Sequence, residues 1–139
     1  MAVKAKELRY AVDLGSDGTL LTEHGAPLET AEGWTPEHLL LAALVRCTLK
    51  SLRFHAGRAG VQVAAAAGSA SSLVTKRDED DRYALIEVGI ELAVELESAP
   101  EEPELSLLLT RAERDCFVGA SLRVSPAYRW TVNGADVPR

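Results

Sequence analysis

The stretch Thr35–Gly57, TPEHLLLAALVRCTLKSLRFHAG, constrains the fold of this chain more than any other. It reads as one long helix. Thr35 suits the N-cap, and Pro36 stands at the first helical position, where a missing N–H costs nothing. Glu37 follows in the first turn, where a negative charge complements the helix dipole. No proline interrupts the next twenty residues, and Gly57 or Gly60 supplies the stop. Seven consecutive non-polar residues, Leu39 to Val45, leave two turns without a solvent face. Such a helix either spans a membrane or is enclosed by protein. The run is too short to span, and Arg46, Lys50 and Arg53 end it, so enclosure is expected and no membrane. A chain of 139 residues has little material to wrap a helix completely, which points to a second copy and a homodimer.

That length makes one domain, 1–139, the default. A hydrophobic content of 47% and a charged content of 26% are ordinary for a soluble globular domain. The net charge of −6 argues against nucleic acid as a main partner. The N-terminus, MAVKAKELRY, has no apolar signal core, so a cytoplasmic location is expected. Cys47 and Cys116 form neither a C-x-x-C nor a zinc pattern, and no metal or other cofactor is expected. A static disulfide does not fit a reducing compartment, and on spacing alone the plain reading is two buried thiols acting as small hydrophobes.

Before the helix, residues 7–14 alternate as a first strand with Leu8, Tyr10, Val12 and Leu14 on one face. Gly15-Ser16-Asp17-Gly18 is a turn, Thr19 to Glu23 a second strand, and Ala26 to Thr30 a short third. After it, Val61 to Lys76 is rich in alanine and serine, a weak strand by propensity and a place for another backbone to approach closely. Its partner, Ala84 to Leu96, is clear: even positions are apolar, while Glu87, Glu91 and Glu95 give an acidic face that reads as solvated. Arg77 to Arg82 forms the charged tip between them. Glu101 to Arg114 is a second amphipathic helix, and a short third helix is capped by Asp115. Tyr128, Trp130 and Val132 alternate in a last strand, and Asn133-Gly134 begins the tail. The order β-β-β-α-β-β-α-α-β is an α+β arrangement.

Two segments are similar to motifs of the OsmC/Ohr family of thiol peroxidases. Thr35-Pro36-Glu37-His38-Leu39-Leu40-Leu41-Ala42-Ala43 resembles the family's first motif, with Cys47 ten residues after the glutamate. Cys116-Phe117-Val118-Gly119-Ala120-Ser121-Leu122 resembles the second, with Phe117 in place of the usual proline. The element order agrees over essentially the whole chain. The resemblance implies an OsmC-like fold, an intertwined homodimer whose sheets wrap two central helices. It implies oxidative or osmotic stress defence by reduction of organic hydroperoxides. Cys47 would be the peroxidatic thiol, Cys116 the resolving thiol and Glu37 a site-organising carboxylate, with a dithiol as reductant.

Peroxide attack needs a thiolate, and hence a neighbouring cation. The arginines that family members carry in the first hairpin turn or shortly before the first motif have no counterpart in Gly15–Gly18 or Leu28–Trp34. Arg46, next to Cys47, is then the candidate thiolate-stabilising cation; Lys50 and Arg9 are others, and a solvated basic stripe Arg46-Lys50-Arg53 is the bland alternative. Leu40, Leu44 and Phe117 would line an apolar pocket suited to a lipophilic peroxide. Ten helical residues rise roughly 15 Å, so Glu37 cannot touch Cys47 on its own helix. His55, near the helix end, is expected to bond free carbonyls. A reading from a different class is a non-catalytic dimer of the same fold that binds a small apolar ligand.

Overall fold

The computed structural model describes residues 3–139. Its elements are β1 (Val12–Leu14), β2 (Leu20–Thr22), β3 (Pro27–Leu28), α1 (Pro36–Arg58), β4 (Gln62–Lys76), β5 (Tyr83–Glu97), α2 (Glu104–Arg114), α3 (Phe117–Ser121), β6 (Ala127–Val132) and β7 (Ala135–Val137). Together they form the α+β architecture expected, with seven strands in two sheets and three helices. Contacts divide the chain into two units, one ending at Thr35 and one comprising Pro36–Arg139.

The first unit is an antiparallel meander, β1-β2-β3, with Leu14 opposite Leu20 and Leu20 opposite Leu28. Its first turn closes through Gly15 N–H to Thr19 O at 2.9 Å, with Gly18 at φ 86°. Asp17 Oδ1 accepts the Thr19 N–H at 3.0 Å, as turn aspartates do. The strands are shorter than the alternation from residue 7 suggests. Leu8, Tyr10, Val12, Leu14, Leu28 and Trp34 are all exposed, so this unit has no core of its own.

The second unit is a four-stranded sheet, β4-β5-β6-β7, with helices packed on one face. The strict alternation of β5 decides which face. Val88, Ile90, Leu92, Val94 and Leu96 are buried, and Glu87, Glu91 and Glu95 are exposed. Onto the apolar face α1 places Leu44, Leu52 and Ala56, and α2 places Leu108, Leu109 and Ala112. β6 runs parallel to β5 and adds Trp130 and Val132. Burial of this set is the main stabilising term, each large side chain contributing about 1.5–3 kcal/mol relative to exposure.

The small residues of β4 are explained by α1. A Cβ on Gly68 would lie 2.9 Å from Leu92 Cδ2, 3.0 Å from Val45 Cγ1 and 3.1 Å from Glu91 O. What approaches is therefore a helix side chain from above as well as the neighbouring strand. The apolar run of α1 is covered on one side only: Leu44 is buried, Leu39, Leu40, Leu41, Ala43 and Val45 are half-buried, and Ala42 is exposed. One sheet and two helices, α2 and α3, reach no farther around its circumference. No helix among the described residues is long and apolar enough to cross a membrane.

Three local features depart from the sequence reading. α2 begins at Glu104, with Pro103 at its N-cap. α3 is capped by Cys116, in extended conformation, because Asp115 is the C-cap of α2. The segment after Asn133-Gly134 returns as β7 instead of trailing away. Both turn residues adopt positive φ, 50° and 82°, the combination that suits a two-residue hairpin. The Asn133 side chain also accepts from Leu96 N–H at 2.8 Å and donates to Leu96 O at 3.1 Å, fastening that turn to β5.

The same substitution should act in opposite directions at two glycines. Gly68→Ala meets a closed space and is expected to destabilise by about 1–3 kcal/mol through overpacking. Gly57→Ala, in α1 with nothing near its Cβ position, should stabilise by about 0.4–1 kcal/mol. Urea unfolding of the two variants measures both.

Candidate dithiol site

Both cysteines belong to the second unit, and the fold brings them together from 69 residues apart. Leu44, Thr48 and Leu52 recur at a spacing of four and form the most deeply buried stripe of α1. Cys47 lies at the margin of that stripe, so its thiol is only half-buried. Cys116 follows α2 directly and is fully buried. The site is thus built where α1 passes the start of α3.

Each sulfur has its own set of partners. Cys47 Sγ accepts the Val118 N–H at 3.5 Å. Cys116 Sγ accepts the Gly119 N–H at 3.4 Å and stands 3.4 Å from Thr48 Oγ1. Thr48 Oγ1 also lies 2.9 Å from Leu44 O. A hydroxyl has one proton, so Thr48 donates to Leu44 O or to Cys116 Sγ, one at a time. Burial pushes the Cys116 thiol above its ordinary pKa, donors from Thr48 and Gly119 oppose the shift, and the nearby Cys47 sulfur adds to it. Cys116 is therefore held as a neutral thiol.

Tyr128, on β6, completes the cluster. Burial pushes its phenol up to about 12, while a hydrogen bond with Thr48 works in the other direction. Its hydroxyl is so close to α3 that a Cβ on Gly119 would lie 3.0 Å from it and 3.5 Å from Cys116 Sγ.

The start of α3 is anchored through Asp115. Its carboxylate meets His55 Nε2 of α1 at 2.7 Å, and Arg114 Nε and Nη2 at 2.9 and 3.0 Å. Its N–H caps α2 by donating to Arg111 O at 3.0 Å. The Arg114 guanidinium, and then His55, hold the Asp115 carboxyl down at about 2. His55 thus bonds a side-chain carboxylate instead of the free carbonyls expected at the end of its helix.

The other residues singled out in the sequence are distributed unevenly. Leu44 lies beside the pair, its Cδ1 3.6 Å from the Cβ position of Gly119. Leu40, one turn earlier, is half-buried, and the Phe117 ring at the start of α3 is 61% exposed. Glu37 is exposed in the first turn of α1, ten residues from Cys47. Arg46, Lys50 and Arg53 are exposed, and none forms an ion pair among the described residues. Sequence reasoning overlooked Thr48, Tyr128 and the His55–Asp115 pair. Thr48 carried a signal, being a hydroxyl at i+4 from Leu44 and adjacent to Cys47. Tyr128 carried none, since it alternates with Trp130 and Val132 as an ordinary core residue would.

The family model described as OsmC-like protein matches residues 29–131. No curated protein matches the chain. Among solved structures, an OsmC-like protein of unknown function from Vibrio cholerae is 14% identical with a TM-score of 0.75, covering 89% of this chain and 99% of its own. A putative organic hydroperoxide resistance protein from the same organism, with captopril in one of its active sites, is 19% identical with a TM-score of 0.64 and 96% coverage of each chain. An organic hydroperoxide resistance protein from Elizabethkingia anophelis is 15% identical with a TM-score of 0.62, covering 93% of this chain and 98% of its own. At these identities the likeness is one of fold.

The Asp115 anchor has a defined acid limit. Its folded pKa is lowered from 3.8 to about 2, so its contribution is present above the unfolded value and lost as pH falls through the folded one. The stability difference between wild type and Asp115→Asn should be constant above about pH 5 and close between about pH 4 and pH 2. Urea unfolding of both proteins across that range measures the difference.

Proposed function

The chain belongs to the OsmC-like protein family, and on that footing we propose that it reduces organic hydroperoxides with a pair of thiols, at the expense of a dithiol reductant. One observation carries the reading: the half-buried Cys47 and the fully buried Cys116 meet at the start of α3, where their sulfurs accept the successive N–H groups of Val118 and Gly119. Cys47 thiolate attacks the distal oxygen of the peroxide, the O–O bond breaks, and the alkoxide leaves and takes a proton as alcohol. Cys47 is left as a sulfenic acid. Cys116 attacks that sulfur, hydroxide departs and is protonated to water, and the two sulfurs are joined. A dithiol then reopens the disulfide and is itself oxidised.

The partners of each sulfur support this division of labour. Cys116, held neutral among its hydrogen bonds, makes a poor first nucleophile, whereas Cys47 is open to a ligand and receives a backbone N–H. Arg46, adjacent and exposed, is the cation proposed to stabilise the Cys47 thiolate. Half-buried Leu40 and exposed Phe117 supply apolar surface suited to a lipophilic peroxide, with Leu44 buried behind them. Glu37 is separated from Cys47 by roughly 15 Å of helix, so its role as site-organising carboxylate falls to the copy on a second subunit.

A homodimer is proposed on the same grounds. The first unit exposes Tyr10 to 72% and Leu14 to 70% with nothing of its own to cover them. The apolar run of α1 is open on one side, and β4 is a 15-residue sheet edge with one charged residue, Lys76. A second copy of the chain would cover such surfaces.

The polar contacts of Cys47 among the described residues include no cation, which favours a second reading, a dimer that binds a small apolar ligand without turnover. Consumption of cumene hydroperoxide in the presence of dithiothreitol separates the two. The expected result is turnover that falls at least about a hundredfold in Cys47→Ser, with a trappable sulfenic acid accumulating in Cys116→Ser. Equal consumption by wild type and Cys47→Ser would sink the peroxidase. Sedimentation should give twice the monomer mass, and a monomer at micromolar concentration would remove the assembly.

A further inference from the structure

Among the described residues, Ser51 Oγ is the one buried side-chain polar atom that the fold leaves without a hydrogen-bond partner. The residue is 8% exposed. A hydroxyl inside a helix commonly satisfies itself by donating to the carbonyl four residues back. Thr48 reaches Leu44 O in this way at 2.9 Å, and Ser121 reaches Phe117 O at 2.7 Å. Ser51 makes no such bond to Cys47 O. Leaving a buried hydroxyl unpaired is unfavourable, and an apolar group of the same shape would cost the fold nothing. The Ser51 proton thus calls for an acceptor that this chain does not itself supply.

Its place on α1 points to that acceptor. Cys47, Ser51 and His55 recur at a spacing of four and form one row along the helix. Both ends of the row meet the segment that opens α3. Val118 N–H bonds the Cys47 sulfur at 3.5 Å, and the Asp115 carboxylate meets His55 at 2.7 Å. Ser51 stands in the seam between those two contacts. Cβ atoms four residues apart on a helix are about 5–6 Å from each other, and each side chain leans toward the N-terminus. The Ser51 hydroxyl therefore leans over the turn that carries Cys47. An oxygen atom held at the Cys47 sulfur comes within its reach, whereas the Val118 N–H is already engaged by the sulfur itself.

We propose that Ser51 is a catalytic residue: it donates a hydrogen bond to the peroxide oxygen that Cys47 attacks, and keeps that bond when the oxygen has become the sulfenic hydroxyl. The proposal rests on the reading of Cys47 as the peroxidatic thiol. The electron pair of the Cys47 thiolate forms the S–O bond as the O–O bond breaks. The pair of the broken bond leaves on the alkoxide, which takes a proton from water and departs as alcohol. The attacked oxygen brings its own proton into the sulfenic acid. Sulfur is oxidised by two electrons and the peroxide is reduced by two. Ser51 retains its proton throughout, since its O–H only polarises the attacked oxygen and makes it the better electrophile.

Two bimolecular rate constants of Cys47 separate such a donor from general thiol reactivity. One is measured with cumene hydroperoxide, the other with dithiobis(nitrobenzoate), a disulfide that presents sulfur instead of oxygen to the thiolate. In Ser51→Ala the peroxide rate should fall about ten- to a hundredfold, while the disulfide rate stays within about twofold of wild type. The same variant should unfold in urea at a midpoint equal to or above that of wild type, because alanine suits a helix and buries no unpaired hydroxyl. A peroxide rate within about twofold of wild type would overturn the donor and leave the peroxidase in place. So would an equal fall in both rates, or a lowered midpoint, either of which marks a hydroxyl that serves the fold. A wild type whose consumption of hydroperoxide survives Cys47→Ser unchanged would remove the peroxidase and, with it, the donor.

Discussion

Helix α1 can lie on its sheet because β4 offers almost no side chain where Val45 descends. The contact at Gly68 fixes the height of the helix over the strands, and the strict alternation of β5 supplies the apolar floor beneath it. Those two conditions set the helix rotation: Leu44, Thr48 and Leu52 face inward at a spacing of four. Cys47 then falls roughly 60° around the helix from Leu44 and 100° from Thr48, at the edge of the buried stripe. Its partial exposure follows from rotation, and would be lost if the seat on β4 moved.

The unlike surroundings of the two thiols follow from where each sits on its element. Cys47 is mid-helix, where backbone N–H groups are already used, and the donor it finds is Val118 N–H from α3. Cys116 is the N-cap of α3, where free N–H groups are available, and its sulfur takes the Gly119 donor at 3.4 Å. A thiol that is buried but hydrogen-bonded on two sides is stable as a thiol. The proposed chemistry uses that asymmetry: one sulfur meets the ligand and the other is kept protonated until its neighbour has been oxidised.

The elements were legible in the sequence wherever periodicity had one meaning. The all-round apolar run, the alternation of Ala84 to Leu96 and the acidic start and basic end of α2 each correspond to an element at nearly the expected place. What escaped was set by competition between neighbours. Asp115 looks like the cap of α3, but its carboxylate is taken by His55 and Arg114 and its N–H closes α2, so the capping role passes to the cysteine. Asn133-Gly134 stands at the expected start of the tail, yet the pair is itself a hairpin signal and turns the chain back onto β6. Of the site, the two cysteines could be named from motif resemblance. Thr48 and Tyr128 could not, because they come from a helix and a strand 80 residues apart and neither stands out against its apolar neighbours.

Asp115 also has a mechanical meaning. It ties the start of α3 to α1 through His55 and to the end of α2 through its own N–H, so the segment that carries Cys116 is fastened to the helix that carries Cys47 by a charged contact as well as by apolar packing.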